Sequence, residues 1–198
     1  MTNKGNDMEH LGTKYMETEH LTLRPFQIDD DIYMYKNWAN DDDVTRFLTW
    51  PTHSSVEVSR LVLSDWIPKY AKKNYYSWAI VLKSIKEPIG DISIVRQQDD
   101  IKMVHVGYCI GKYWWNQGFT SEALSALIDF FINEVGVNRI EARHDPRNPN
   151  SGKVMMKCGL KYEGTMRQAD MNNQGICDYA IYGLVADEYK NILTQNKH

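Results

Sequence analysis

Tyr113-Trp114-Trp115-Asn116-Gln117-Gly118-Phe119-Thr120-Ser121-Glu122-Ala123-Leu124 is a turn with one glycine that runs directly into an amphipathic helix. A helix start of this kind aims unpaired backbone N–H groups and the positive end of the helix dipole at one point, which is what a pyrophosphate needs. An anion site is therefore expected over Asn116, Gln117, Gly118, Phe119, Thr120 and Ser121, chiefly through the backbone. An ordinary helix start after a glycine is the competing reading. Farther along, His144 precedes an Asn- and Pro-rich loop, and a neutral imidazole can accept a proton near pH 7. No serine or cysteine has a neighbourhood that demands a nucleophile. Cys109, Cys158 and Cys177 lack the paired spacing of a metal site and are expected as buried free thiols, with neither metal nor disulfide.

The elements that must position these groups follow from periodicity. Leu124, Leu127, Ile128, Phe131, Ile132 and Val135 recur at three-and-four spacing, so a helix is expected over 119–135 with Gly136 as its C-terminal cap. Met103 to Ile110 reads as a strand interrupted by Gly107, which suggests a bulge or a close backbone approach. Asn138 to Arg143 alternates like a second strand. Asp145-Pro146-Arg147-Asn148-Pro149-Asn150 then breaks it, and a short helix follows with Ser151 as N-cap and Gly159 at its end. Upstream, a strand near His20 to Phe26 leads to a helix through Trp38, opened by Asp29-Asp30-Asp31. A second helical stretch spans about Ser55 to Lys73. Tyr76 to Leu82 and Ile89 to Val95 make two more strands, and Leu160 to Met171 with Ile176 to Val185 form a hairpin around Asn172-Asn173-Gln174-Gly175. Residues 1–17 lack apolar periodicity and are expected as a mobile tail, with one domain over 18–198.

This order of elements resembles the GNAT superfamily of acyl-CoA N-acyltransferases over about residues 18–187. It is similar above all to the branch that includes the ribosomal-protein N-terminal acetyltransferases RimJ and RimL. The carriers are Thr22-Leu23-Arg24-Pro25, Val106-Gly107-Tyr108-Cys109-Ile110, Trp115 to Ala123, Asn148-Pro149-Asn150-Ser151 and Lys157-Cys158-Gly159-Leu160-Lys161-Tyr162-Glu163-Gly164. The resemblance implies an α/β (α+β) fold with a mixed, twisted seven-stranded sheet flanked by helices. It also implies acetyl-CoA as acetyl donor, with pantetheine inserted between two splayed strands. Gly107 would permit the splay, and the N–H near Cys109 or Ile110 would serve as an oxyanion donor worth ~3 kcal/mol. For Tyr108 and Ile110, core packing is the alternative to cofactor contact. Asn148 matches the asparagine that bonds the pantetheine arm, against the plain reading of a loop cap. Lys153 and Lys157 could meet the ribose phosphate, with solvation on the helix surface as the commoner alternative. Ser151 corresponds to the serine that donates to the departing sulfur, and Asp170 to the acidic residue that takes the amine proton through water, against the plain reading of a solvated surface carboxylate. The family turn often carries a basic residue where Trp115 stands, so the turn here is expected to act through its backbone.

Composition is compatible with this. The chain has 198 residues, 42% of them hydrophobic, and a net charge of −3 with His neutral. That suits one substantial core. No run is apolar enough for a membrane span or secretory signal, so a cytoplasmic protein is expected, and the dispersed basic residues form no nucleic-acid patch. Asp29-Asp30-Asp31 and Asp41-Asp42-Asp43 could make an acidic mouth that favours a cationic amine, or could be solvated faces and helix starts. The implied reaction is acetyl transfer to the α-amino group of a protein or peptide. Acetylation of a polyamine or aminoglycoside and a non-catalytic acyl-CoA sensor are the alternatives. Exposed-loop aromatics and the last hairpin could support a homodimer.

Overall fold

In the computed structural model, residues 8–195 are described. Eight strands form one sheet: β1 (Met16–Glu17), β2 (Leu21–Arg24), β3 (Ser77–Leu82), β4 (Glu87–Gln98), β5 (Met103–Ile110), β6 (Arg139–His144), β7 (Lys161–Asn172) and β8 (Gly175–Val185). Their order across the sheet is β1-β2-β3-β4-β5-β6-β8-β7. The expected count of seven lacks β1, a two-residue strand paired Met16↔Leu23 that is too short to leave a periodic signal. Neighbours run antiparallel except β5 and β6, which are parallel.

That parallel pair shapes the molecule. β5 and β6 are bonded from Met103↔Arg139 to Val106↔Ala142 and no farther, although β5 continues to Ile110 and β6 to His144. The strands therefore diverge and leave a gap in the middle of the sheet. The bulge expected at Gly107 lies instead on β4, where the register shifts between Ile94 and Arg96. Gly107 acts as the close approach: a Cβ there would stand 2.9 Å from Val95 Cγ1, so the missing side chain makes room for the bulged residue.

Each face of the sheet carries its own core. On one, helix α4 (Phe119–Phe130) and the turn that follows it lay Leu124, Leu127, Ile128 and Phe131 against Val104, Val106, Ile140 and Ala142, all buried. A side chain of this size stabilises by roughly 1.5–3 kcal/mol when fully buried, so the stripe holds α4 firmly to the divergent strands. The numbering of the short helices is α1 (Asp31–Met34), α2 (Asp42–Thr45), α3 (Val56–Trp66), α4 (Phe119–Phe130), α5 (Pro149–Lys157) and α6 (Ala186–Gln195). The last turn beyond α4, Phe131–Val135, widens to π geometry and ends at Gly136 with φ +80°, the cap expected from sequence. On the other face, Phe26, Met34, Trp38, Val44 and Leu63 pack over Ala79, Val81 and Cys109 and form a lid.

Two expectations change. Residues 8–17, read as tail, are tied down: Glu9 N donates to Val135 O, Gly12 N to Lys73 O and Trp78 Nε1 to Lys14 O, while Leu11 is half-buried against the main core. Residues 1–7 of that expected tail lie outside the described residues. Ser151 is not the N-cap of α5. Asn148 occupies that position and Pro149 begins the helix, because proline's fixed φ and missing N–H suit the first helical residue.

Candidate active site

The gap between β5 and β6 is lined by backbone. Gly111 N donates to Ile89 O (2.9 Å), and Asp91 stands opposite Cys109. In an antiparallel ladder N–H directions alternate, so residues 109 and 111 point theirs at β4. Those of Tyr108 and Ile110 point the other way, into the gap where β6 has departed. Of the two oxyanion donors considered from sequence, Ile110 therefore has the right direction and Cys109 has not. The Cys109 side chain sits in the lid core, and burial pushes its thiol pKa well up, which makes it a poor nucleophile.

The turn over residues 116–121 lies beside the gap, in the same cleft. Asn116 (φ +61°) and Gly118 (φ +90°, ψ −11°) both adopt left-handed conformations, and the first helical bond of α4 is Glu122 N→Gly118 O. The N–H groups of Phe119, Thr120 and Ser121 precede that bond and have no intrahelical partner. Trp115, standing where a basic residue is common, instead fastens the turn: its Nε1 donates to Ile110 O at 2.9 Å. Gln117 Nε2 donates to Tyr113 O at 2.8 Å. A Cβ on Gly118 would lie 3.8 Å from Lys157 Nζ, so Lys157 places its cation beside the turn. Gln117, Gly118, Ser121 and Lys157 also line a side cavity of about 470 Å³ with His20 and Glu122.

The main cleft, about 1120 Å³, runs under the lid and includes Tyr108, Cys109, Ile110, Asn116, Gly118, Thr120, Ser121, Asn148, Ser151, Lys157, His144 and Asp170. Most of the residues singled out from sequence thus meet in one place. Asn148 makes no side-chain cap bond, so its amide is uncommitted to its own helix. The half-buried Tyr108 donates its hydroxyl proton to Ser151 O (2.8 Å), and its hydroxyl lies 3.0 Å from Ser151 Oγ. A phenol has one proton, so while it goes to the carbonyl, Ser151 donates to Tyr108. This hydroxyl pair leaves no signal in the sequence, where Tyr108 and Ser151 are 43 positions apart.

The acid–base candidates differ sharply. His144 Nδ1 lies 2.8 Å from Asp145 O, which fixes the proton on Nδ1, and Nε2 is then an acceptor. That Nε2 is buried and without a hydrogen-bond partner, and a Cβ on Gly152 would be 2.6 Å away, so it faces helix α5 rather than open cleft. Asp170 is ion-paired with Arg143 (Nε to Oδ2, 3.2 Å), and its Oδ1 accepts from Met171 N. Asp145 is held down to about 2, first by the Arg147 guanidinium. Asp91, not singled out from sequence, lines the same cleft with no hydrogen-bond or ion-pair partner among the described residues, and burial pushes its carboxyl up to about 7. Its one sequence signal is a carboxylate inside the apolar run Ile89-Gly90-Asp91-Ile92.

The acidic mouth is not present. Asp30 takes a bidentate pair from Arg24 (2.7 and 2.8 Å), and Asp31 pairs with Arg60 (2.8 Å). Asp41 caps α2 through Asp43 N, Asp42 accepts from Thr52, and Asp43 meets Lys112 and Arg46. Of the six carboxylates only Asp43 lines the cleft. The lid is instead stitched to the tip of the last hairpin. Asn173 Nδ2 donates to Thr45 O and Trp50 O, Asn173 N donates to Leu48 O, and Arg147 lies over the Phe47 ring.

Comparison with known proteins decides the family. The sequence profile of the Acetyltransferase (GNAT) domain matches residues 20–161. The chain belongs to the GNAT acetyltransferase family. It is an N-acetyltransferase with acetyl-CoA as donor. The enzyme is 27% identical over 172 residues to an uncharacterized N-acetyltransferase, p20, of Bacillus licheniformis, covering 87% of this chain and 96% of that one. It is 28% identical over 141 residues to the ribosomal-protein-serine acetyltransferase of Escherichia coli, covering 71% and 78%. The solved microcin C7 self-immunity acetyltransferase MccE, in complex with acetyl-CoA and AMP, superposes with a TM-score of 0.76 at 19% identity over 85% and 93% of the two chains. That likeness is of fold. No helix among the described residues is long and apolar enough to cross a membrane, and none of their His, Cys, Asp and Glu side chains group in threes suited to a metal.

Proposed function

We propose that the enzyme acetylates the α-amino group of a protein or peptide. The observation that carries the acyl-transfer geometry is the opening between β5 and β6, into which Tyr108 and Ile110 aim N–H groups that β6 no longer satisfies. The acceptor class is supported by similarity to a ribosomal-protein-serine acetyltransferase. Acetyl-CoA supplies a thioester whose carbonyl an amine can attack directly. Ile110 N–H stabilises charge that develops on the carbonyl oxygen, an effect of ~3 kcal/mol in comparable sites. The 116–121 turn and Lys157 hold phosphate, and Asn148 orients the pantetheine arm. Ser151 turns its hydroxyl proton from Tyr108 toward the departing sulfur. The lid cleft, roofed by the hairpin tip, receives the chain end. Turnover of acetyl-CoA over a panel of N-terminal peptides, polyamines and aminoglycosides tests this. Selective turnover of peptides is expected, turnover of small amines alone overturns the acceptor class, and coenzyme binding without any turnover favours a sensor. A homodimer is also proposed, supported by the exposed Tyr162, Met166 and Met171 of edge strand β7.

A further inference from the structure

Acetyl transfer to an amine that arrives as an ammonium needs a group to take its proton. That group must reach the acceptor side of the gap, must not be neutralised by a standing partner, and must be able to gain and lose a proton near neutrality. Asp170 is engaged by Arg143, Asp145 by Arg147, and His144 turns its free nitrogen against α5. His105 lies on β5 at its still-paired end, opposite Glu141. Four residues of strand, roughly 13 Å, separate it from Cys109.

Asp91 meets all three conditions. It stands opposite Cys109 and Ala79, so the three share the lid face of the sheet, at the end where β5 and β6 have separated. We propose that Asp91 is the residue that accepts the proton from the acceptor's ammonium, directly or through one water. The groups that face it are the Cys109 thiol on β5 and the phenols of Tyr70 and Tyr75 before β3, none of which is a cation. Burial among them favours the neutral acid, which is why its carboxyl stands near 7.

The step balances simply. The ammonium gives one proton to an Asp91 oxygen. The nitrogen lone pair then forms the C–N bond as the C–S bond breaks, the nitrogen gives up its second proton to water as the amide forms, and the thiolate takes a proton from water by way of Ser151. Asp91 returns its proton to solvent, for a net release of one proton per acetyl transferred.

This inference rests on the acyl-transfer reading above, and its test separates the two. The carboxyl carbon of Asp91 is followed by NMR in the whole enzyme, assigned by its absence in Asp91→Asn, with Asp91→Ser as a second neutral variant checked for folding by circular dichroism. A midpoint near 7 is expected, and a midpoint in the ordinary carboxylate range overturns the proposal whatever the acceptor. The pH profile of kcat/KM is then measured with whichever amine the panel identifies. Asp91→Asn should lose the acidic limb and about 10²-fold in rate at neutral pH, with coenzyme affinity unchanged, while Asp170→Asn keeps the limb. An unchanged limb in Asp91→Asn, or its loss in Asp170→Asn instead, overturns the assignment and leaves the acetyltransferase reading standing.

Discussion

Replacing Asp91 by Asn should make the protein more stable, and more so as pH rises. The Asp91 carboxyl is raised from 3.8 to about 7 by burial. Between these values the folded protein keeps a proton that the unfolded chain has released. Stability from this group is therefore greatest below about pH 4, declines as pH rises, and levels off above about 7. Every tenfold change in the protonation equilibrium is about 1.4 kcal/mol, so the full penalty has a ceiling on the order of 4 kcal/mol. Roughly two-thirds of that penalty develops above pH 5, and water reaching the cleft lowers the effective value, so about 1–3 kcal/mol should separate pH 5 from pH 8. Asn keeps the size of the protonated acid and carries no charge. Urea unfolding of both proteins at the two pH values measures the difference through the midpoint at constant slope. A stability gain of Asp91→Asn that is equal at pH 5 and pH 8, or a loss at pH 8, refutes the claim that Asp91 is desolvated and unpaired.

Three further outcomes follow from the site. Gly118→Val forces a β-branched residue to φ +90°, a strain of about 1–2 kcal/mol, and points a side chain toward Lys157 Nζ. Calorimetry should show coenzyme A affinity reduced at least tenfold, and unchanged affinity in the folded variant counts against the 116–121 site. Ser151→Ala should lower turnover while unfolding midpoints move little, because Asn148 rather than Ser151 caps α5. A loss of more than about 1 kcal/mol would show that the hydroxyl pair with Tyr108 is structural in the main. Asn173→Ala removes two side-chain bonds to the lid and should raise KM for the acceptor without moving coenzyme affinity.

Much of the turn and helix proposed to hold the cofactor is legible in the sequence because its determinants are local. Gly118 precedes its helix directly, the α4 stripe repeats within 12 residues, and Gly136 ends the run it is expected to end. The hairpin at 172–175 is equally plain, since Asn and Gly mark such turns. Errors arise where one residue's role depends on its neighbours' conformation. Ser151 gives up the cap to Asn148 once Pro149 begins the helix, and of the two readings of Gly107 the close approach holds while the bulge falls on Val95, which packs against it across the ladder. Residues 8–17 carry no periodicity because they are held by scattered contacts, such as Gly12 to Lys73 and Trp78 to Lys14, and by the two-residue pairing of β1, rather than by a repeating face. The C-terminal helix α6 is absent from the sequence reading altogether.

The acceptor side is illegible for a sharper reason. A carboxylate's chemistry is set by what stands beside it, and those neighbours are remote in sequence. Asp31 meets Arg60 29 positions away, Lys112 reaches back 69 positions to Asp43, and the lid is closed by Asn173, 128 positions downstream of Thr45. Six acidic residues that look like a mouth are thereby spent on capping, pairing and solvent. Besides Asp43, which is paired with Lys112 and Arg46, the cleft holds Asp145, Asp170 and Asp91, chemically identical in the sequence and unlike in the fold. Arg147 pulls Asp145 down to about 2, Arg143 holds Asp170 in an ion pair, and the Asp91 carboxyl, half-buried and without a cation partner, stands near 7. A base must be ionised before the proton comes and stable once it has come, and both are met when its pKa lies near the working pH. Among these three that condition selects Asp91, so a rate profile that turns over near pH 7 and follows Asp91 rather than Asp170 is the consequence that ties the fold to its chemistry.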